Sequence, residues 1–202
     1  LSQLELESVW DITTGTNNVT IAIIDTGVNI NHLDLKNKIW RNNSEWPTNN
    51  IDSDGNGFID DYLGWDFVDL SPSGSYTEDP NEDYAPADNM PLDVVGHGTH
   101  VSGIAAAESN SSGITGVAFG ATIMPLRAGY SAIEKSTSTK YGLFDTSSII
   151  AAIHYAVSNG ANIINMSFGA SGTDEGLKSM VNFALNQGVS VIAAAGNDSV
   201  NI

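Results

Sequence analysis

The sequence predicts an α/β fold with a mostly parallel central sheet. Short apolar, β-branched runs without polar alternation recur along the chain, as strands buried on both faces do. Stretches of helical character separate these runs, so strand and helix alternate instead of clustering by type. Asp25, Ser167 and Asn197 each stand where a strand finishes. In parallel sheets, sites form beyond the carboxyl ends of strands.

Val19–Ile24 reads as the first strand and runs into Asp25-Thr26-Gly27. Val101–Ala107, small and apolar, reads as a helix following the glycine-rich Gly96–His100. Ala121–Leu126 is the next strand. Thr146–Ser158 is helical, with Ser147 and Ser148 as candidate caps and Asn159-Gly160 as its stop. Asn162–Met166 is a strand, Asp174–Asn186 a helix ended by Gln187-Gly188, and Val189–Ala195 a last strand leading to Gly196-Asn197. Residues 41–95 and 128–145 read as long polar connections without an internal period.

Composition narrows the function. A chain of 202 residues suits one domain, and 41% hydrophobic residues are enough for a core. Seven basic against 24 acidic residues, a formal charge of −17, argue against a nucleic-acid or anionic-membrane partner. Such partners need clustered Lys and Arg. The absence of cysteine excludes a disulfide scaffold, a thiolate metal site and a Cys nucleophile. No apolar run approaches the ~20 residues of a membrane span, and the polar, acidic residues 1–18 do not read as a secretory leader. The acids are unevenly spread: between Arg41 and Arg127 stand 14 of the 24, with no Lys or Arg. They read either as a solvated acidic surface or as carboxylates neutralised by hard cations.

Three separated segments carry chemistry. Ile23-Ile24-Asp25-Thr26-Gly27-Val28 ends a buried strand in a carboxylate, which is costly to bury unless it is paired. Alone it reads rather as a turn or helix-capping Asp. Gly96-His97-Gly98-Thr99-His100-Val101-Ser102-Gly103 puts a histidine at the mouth of a helix, with glycines that allow close backbone approach. The pair His97 and His100 lacks a third ligand suited to zinc. Val191-Ile192-Ala193-Ala194-Ala195-Gly196-Asn197 ends a strand in an amide able to donate to an oxyanion, or simply in a turn residue.

In this order and on these elements, the three segments resemble the subtilisin-like serine proteases (subtilases, peptidase family S8). Asn165-Met166-Ser167-Phe168-Gly169 looks like the family's substrate-binding strand, and the resemblance runs from about Val9 to Asn197. A single Asp-Thr-Gly copy and the α/β alternation speak against an aspartic protease. The resemblance implies a three-layer subtilisin-like fold and a secreted, calcium-using serine endopeptidase without an organic cofactor. His97 would be the general base, Asp25 would orient it and stabilise the imidazolium, and Asn197 would donate to the oxyanion. Ser167, Phe168 and Gly169 would pair with an extended polypeptide substrate, with Leu126, Arg127, Ala128 and Gly129 as the opposite edge.

The family's nucleophile segment, Gly-Thr-Ser-Met-Ala, occurs nowhere in the chain. Residues 1–202 therefore read as a subtilisin-like peptidase domain truncated before the catalytic serine, with an incomplete fold. The 202-residue polypeptide alone is expected to be inactive, and to be partly molten or aggregating. A C-terminal segment or a second chain would supply the Ser. The alternatives are one half of a split protease, or a non-catalytic, calcium-binding, peptide-binding module.

Within the acidic stretch, Asp52-Ser53-Asp54-Gly55-Asn56-Gly57-Phe58-Ile59-Asp60-Asp61 places oxygens at alternate positions around a glycine turn. It fits an EF-hand-type calcium loop through Asp52, Asp54, Asn56, the Phe58 carbonyl and Asp60. Leu63 stands where the bidentate Glu belongs, and Asp61 would partly compensate. A polar turn is the plain alternative. The resemblance alone implies a second calcium site, with Asp34, the Asn110 side chain and the carbonyls of Glu108, Ser112 and Ile114 as donors. His100 and His154 read as packed helix histidines, the four tryptophans as core or loop anchors, and 71–93 as an exposed loop bordering the cleft.

Overall fold

The first strand explains the architecture. The computed structural model describes residues 4–84, 86–169 and 172–196. A short helix α1 (Leu6–Trp10) precedes strand β1 (Thr20–Asp25), every residue of which is buried. Ala22 and Ile24 face one apolar core, while Ile21 and Ile23 face another. Burial on both faces is why the run shows no polar alternation. Each fully buried Ile of this strand contributes about 1.5–3 kcal/mol relative to exposure.

The remaining elements are β2 (Trp65–Asp66), β3 (Tyr76–Glu78), α2 (His97–Ala106), β4 (Thr122–Arg127), β5 (Gly129–Glu134), β6 (Lys140–Phe144), α3 (Thr146–Ser158), β7 (Ile163–Met166), α4 (Glu175–Asn186) and β8 (Ser190–Ala193). Five strands form a parallel sheet in the order β2-β4-β1-β7-β8. Helix α2 packs on β1 and β4 over the core of Ile21, Ile23, Leu35, Ile39 and Ile123. Helices α3 and α4 pack on each other; the core formed by Ile24, Met124, Ile153, Ile164 and Ala184 joins them to the sheet. The result is the predicted α/β fold in three layers. No helix among the described residues is long and apolar enough to cross a membrane.

The predicted strands and helices lie where expected with ends shifted by a residue or two, except that α2 begins at His97, before the expected Val101. The cap of α3 is corrected: Asp145, not Ser147 or Ser148, accepts from the Ser147 and Ser148 amides. A carboxylate at the N-cap outcompetes the hydroxyls behind it because it satisfies two amides and meets the positive end of the helix.

Residues 128–145 are not an irregular connection. They form the hairpin β5–β6, which β3 extends to a three-stranded antiparallel sheet. A separate core of Val68, Tyr84, Tyr130 and Ala132 lies beneath it. Lys140, Tyr141 and Gly142 on β6 are exposed, so that strand lacks the apolar alternation that announces a strand.

Candidate active site

Alternation along β1 sends position 25 to the same face as Ile21 and Ile23, the face covered by α2. Helix α2 begins at His97, immediately after Gly96 at φ 93°. Asp25 is fully buried, and its Oδ1 lies 2.7 Å from His97 Nδ1 and accepts from the Thr26 amide at 2.7 Å. The His97 side chain is 46% exposed, so the imidazole is accessible while its partner is not. The other oxygen, Asp25 Oδ2, is buried with no hydrogen-bond partner among the described residues. Burial pushes the Asp25 carboxyl up; the His97 and Thr26 hydrogen bonds pull against it.

Close approach of the two elements depends on glycine. A Cβ at Gly98 would stand 2.1 Å from the Gly27 carbonyl oxygen and 3.0 Å from Asp25 Cβ. Asp93 ties the junction together. Its Oδ1 accepts from the Gly96 amide and the Thr26 hydroxyl, and its Oδ2 from the Thr99 amide and hydroxyl. The Gly98 amide in turn donates to Thr26 Oγ1 at 3.1 Å. Sequence reading passed over Asp93. The signal was available: an Asp three residues before a glycine, just ahead of a helix, is placed to accept the orphan amides of the first turn.

Strand register sets the rest of the cleft. Ile23 pairs with Asn165, and Met166 with Ala193. Asp25, Ser167 and Ala194 therefore come level at the carboxyl edge of the sheet. Ser167, Phe168 and Gly169 follow directly on β7, and Asn165 Nδ2 donates to Ser167 Oγ at 2.9 Å. Phe168 stacks on Phe144 with ring centroids 4.1 Å apart. Between them and β6 opens a cleft of about 620 Å³, lined by Gly142, Leu143, Phe144, Phe168, Gly169 and Ala194 among others. Asn197 lies outside the described residues.

The opposite edge is not where the sequence placed it. Leu126 and Arg127 lie inside the five-stranded sheet, paired with β1 on one side and β2 on the other. Leu126, Arg127 and Ala128 are at most 1% exposed, and Gly129 pairs with Phe144. Leu126 and Arg127 therefore have no free edge, and Ala128 and Gly129 are buried. The exposed β6 strand lies beside the cleft instead, and Gly142 sits against Thr26 and Val95, next to His97.

Arg127 has a structural task. Its guanidinium is buried against the Asp66 and Glu82 carboxylates and the Asp83 carbonyl. Burial pushes the Asp66 carboxyl up to about 7 against the pull of Arg127. Next to it, Asp79 is held down to about 2 by Lys140 and the Ser131 hydroxyl. Segment 71–93 is thus not a plain exposed loop: Asp79, Glu82 and Tyr84 are buried in this network. His100 and His154 are exposed on their helices, and His154 stacks on Phe183. Trp46 is 73% exposed and anchors no core.

The acidic loop folds around two of its own carboxylates. Asp52 accepts from the amides of Gly57, Gly55 and Asn56, which hold its carboxyl below the usual range. Asp54 accepts from the Asn42 and Asn56 side chains. Glu45, which the loop motif omits, brings a carboxylate oxygen within 4.8 Å of oxygens of Asp52 and Asp54. At that spacing the three carboxylates repel one another unless a cation lies between them.

Other predicted ligands are placed differently. Asp60 turns away and accepts from the Asn49 and Asn50 amides. Asn56 directs its amide nitrogen, not its oxygen, at Asp54 and Asp61. Asp61 is buried and accepts from Asn42, Asn56 and the Tyr155 hydroxyl. The Phe58 ring packs against Trp65, Phe67 and Tyr155.

Asp34 of the second predicted set lies against the 108–114 loop, but it meets that loop through nitrogens and not through the predicted oxygens. Asp34, 5% exposed, accepts from Asn110 Nδ2 at 3.2 Å and the Ile114 amide at 3.3 Å. The Glu108 amide donates to the Asp34 carbonyl, and Asn110 Oδ1 accepts from Ser112. Oxygen-rich and free of thiolate, this set suits a hard cation.

Comparison with known proteins agrees with the geometry. A model described as the subtilase family matches residues 16–202. The thermophilic serine proteinase of Bacillus sp. strain AK1 is 36% identical over 190 residues, covering 94% of this chain and 35% of the relative. Thermitase of Thermoactinomyces vulgaris is 34% identical over 196 residues, covering 96% and 53%. The major intracellular serine protease of Bacillus subtilis is 33% identical over 181 residues, covering 90% and 43%. The chain thus spans about a third to a half of the length of these relatives.

Proposed function

Since this chain belongs to the subtilase family, we propose that it carries the base and orienting acid of a serine endopeptidase. The observation that carries this reading is the 2.7 Å contact between buried Asp25 and exposed His97. With Nδ1 engaged by Asp25, the ring is held in the tautomer whose Nε2 accepts a proton. His97 would take the proton of a serine nucleophile and return it to the leaving amine, while Asp25 stabilises the imidazolium. Asn197 would donate to the oxyanion, and removal of one such donor costs on the order of 10²–10³ in rate. No Gly-Thr-Ser occurs in these 202 residues, so the nucleophile would come from a further segment or a second chain.

An extended polypeptide would lie between Ser167–Gly169 and the free edge of β6, bonding by main chain to both. Calcium is proposed at the acidic loop and at Asp34 with the 108–114 loop, where it would relieve carboxylate repulsion and fix loop geometry. Extracellular modules hold calcium at about 10⁻⁴–10⁻³ M. Affinities in that range would fit a secreted setting, where calcium is abundant enough to fill so weak a site. The deciding test is peptide-bond hydrolysis by a protein that joins this chain to a Gly-Thr-Ser segment. Activity abolished by His97→Ala supports the reading; activity that survives this substitution rejects it.

A further inference from the structure

The cluster of Glu45, Asp52 and Asp54 holds one atom that internal hydrogen bonding leaves unexplained. Glu45 is 4% exposed. Its Oε1 accepts from the Ser53 amide at 2.7 Å and the Asp54 amide at 3.1 Å. Its Oε2 is buried and has no partner among the described residues. A buried carboxylate oxygen without a donor is strongly disfavoured unless a cation meets it. No Lys or Arg exists between Arg41 and Arg127 in the sequence, so that stretch offers no side-chain ammonium or guanidinium.

We infer that Glu45, from outside the acidic loop, is the buried anchoring ligand of one calcium ion shared with Asp52 and Asp54, and that Asp60 takes no part. The inference rests on the calcium reading of the loop given above and changes its ligand set. Glu45 fastens the loop through one oxygen and offers the other to the ion. The candidate ligand oxygens lie within 4.8 Å of one another. Opposite ligands on calcium stand about 4.6–5.2 Å apart, twice its bond length to oxygen. Three carboxylates without imidazole or thiolate disfavour zinc. Asn42, 6% exposed, bonds both Asp54 and Asp61, and Asp61 meets the Tyr155 hydroxyl on α3. The ion would therefore be tied to the helical layer of the core.

The test is calcium titration by calorimetry, with melting temperature in chelator and in calcium, on the full chain and on Glu45→Gln and Asp60→Asn. Glutamine keeps an oxygen for the Ser53 and Asp54 amides and loses only the charge. Glu45→Gln is expected to weaken one calcium site at least tenfold. Its melting temperature in chelator should equal or exceed that of the parent, and its rise with calcium should shrink. A merely structural Glu45 would give the opposite sign in chelator. Asp60→Asn should leave calcium affinity within about threefold. Parental affinity in Glu45→Gln, or an equal loss in Asp60→Asn, overturns the inference while leaving calcium in the loop. Unchanged binding in Asp52→Asn would instead remove the loop reading itself. If Glu45→Gln does not fold, Glu45→Asp keeps the charge and shortens the reach; weaker binding supports the inference and parental binding overturns it.

Discussion

Asp25 and His97, 72 residues apart in the chain, meet at 2.7 Å because β1 ends where α2 begins. The pair needs both elements and the bare backbone of Gly98 between them. Asp25→Asn should preserve the fold and lower kcat on the order of 10⁴, with KM little changed, in a protein that supplies the nucleophile. Steady-state peptide hydrolysis against the parent checks this.

Gly98→Ala adds a methyl where 2.1 Å separates it from the Gly27 oxygen. Overpacking of this kind costs about 1–3 kcal/mol, and here the strain falls on the Asp25–His97 contact. Urea unfolding should show the loss. The downfield NMR signal of the His97 Nδ1 proton should weaken or shift.

Arg127→Met leaves Asp66 and Glu82 buried without their cation, and breaking such a pair costs about 3–5 kcal/mol. The sign with pH follows from Asp66, whose carboxyl burial lifts to about 7, above the ordinary 3.8 of an exposed Asp. Stability linked to its proton is full below 3.8 and is lost as pH rises through about 7. Removing the guanidinium penalises the anion further. The deficit of Arg127→Met should therefore be larger at pH 8 than at pH 5 in denaturant titrations.

Asp79 shows the ordinary direction. Lys140 and Ser131 hold it down to about 2, from 3.8. Its contribution is present above pH 3.8 and lost as pH falls through about 2. Asp79→Asn should be less stable than the parent at neutral pH, and the gap should close over that window. Thermal unfolding between pH 7 and pH 2 reads it directly.

The parallel sheet was legible because burial on both faces leaves a mark in composition: Ile21 to Ile24 could only sit between two layers. The Asp25–His97 meeting was legible from the order of the three segments and their resemblance to a family, since the strand-end carboxylate alone reads as a turn residue. The second sheet was not, since Lys140 to Gly142 pair through backbone atoms and spend no apolar side chains doing so. Leu126–Gly129 were misplaced for the related reason that a strand in the sheet interior and one at a free edge read alike. Glu45, whose carboxylate comes beside Asp52 and Asp54, was missed because a residue from outside a loop has no spacing to betray it.

Phe58, within the acidic loop, lies edge-on to Trp65 at 5.0 Å and to Tyr155 at 4.9 Å. Trp10, by contrast, contacts Phe119 and bonds the Val117 carbonyl through its indole nitrogen. The molecule thus carries an unlabelled optical gauge. Emission from Trp65 follows the packing of the loop through Phe58, while Trp10 follows docking of the first helix, and single-tryptophan variants separate the two signals. Loop loosening and loss of the first helix can then be timed independently in one stopped-flow trace per variant.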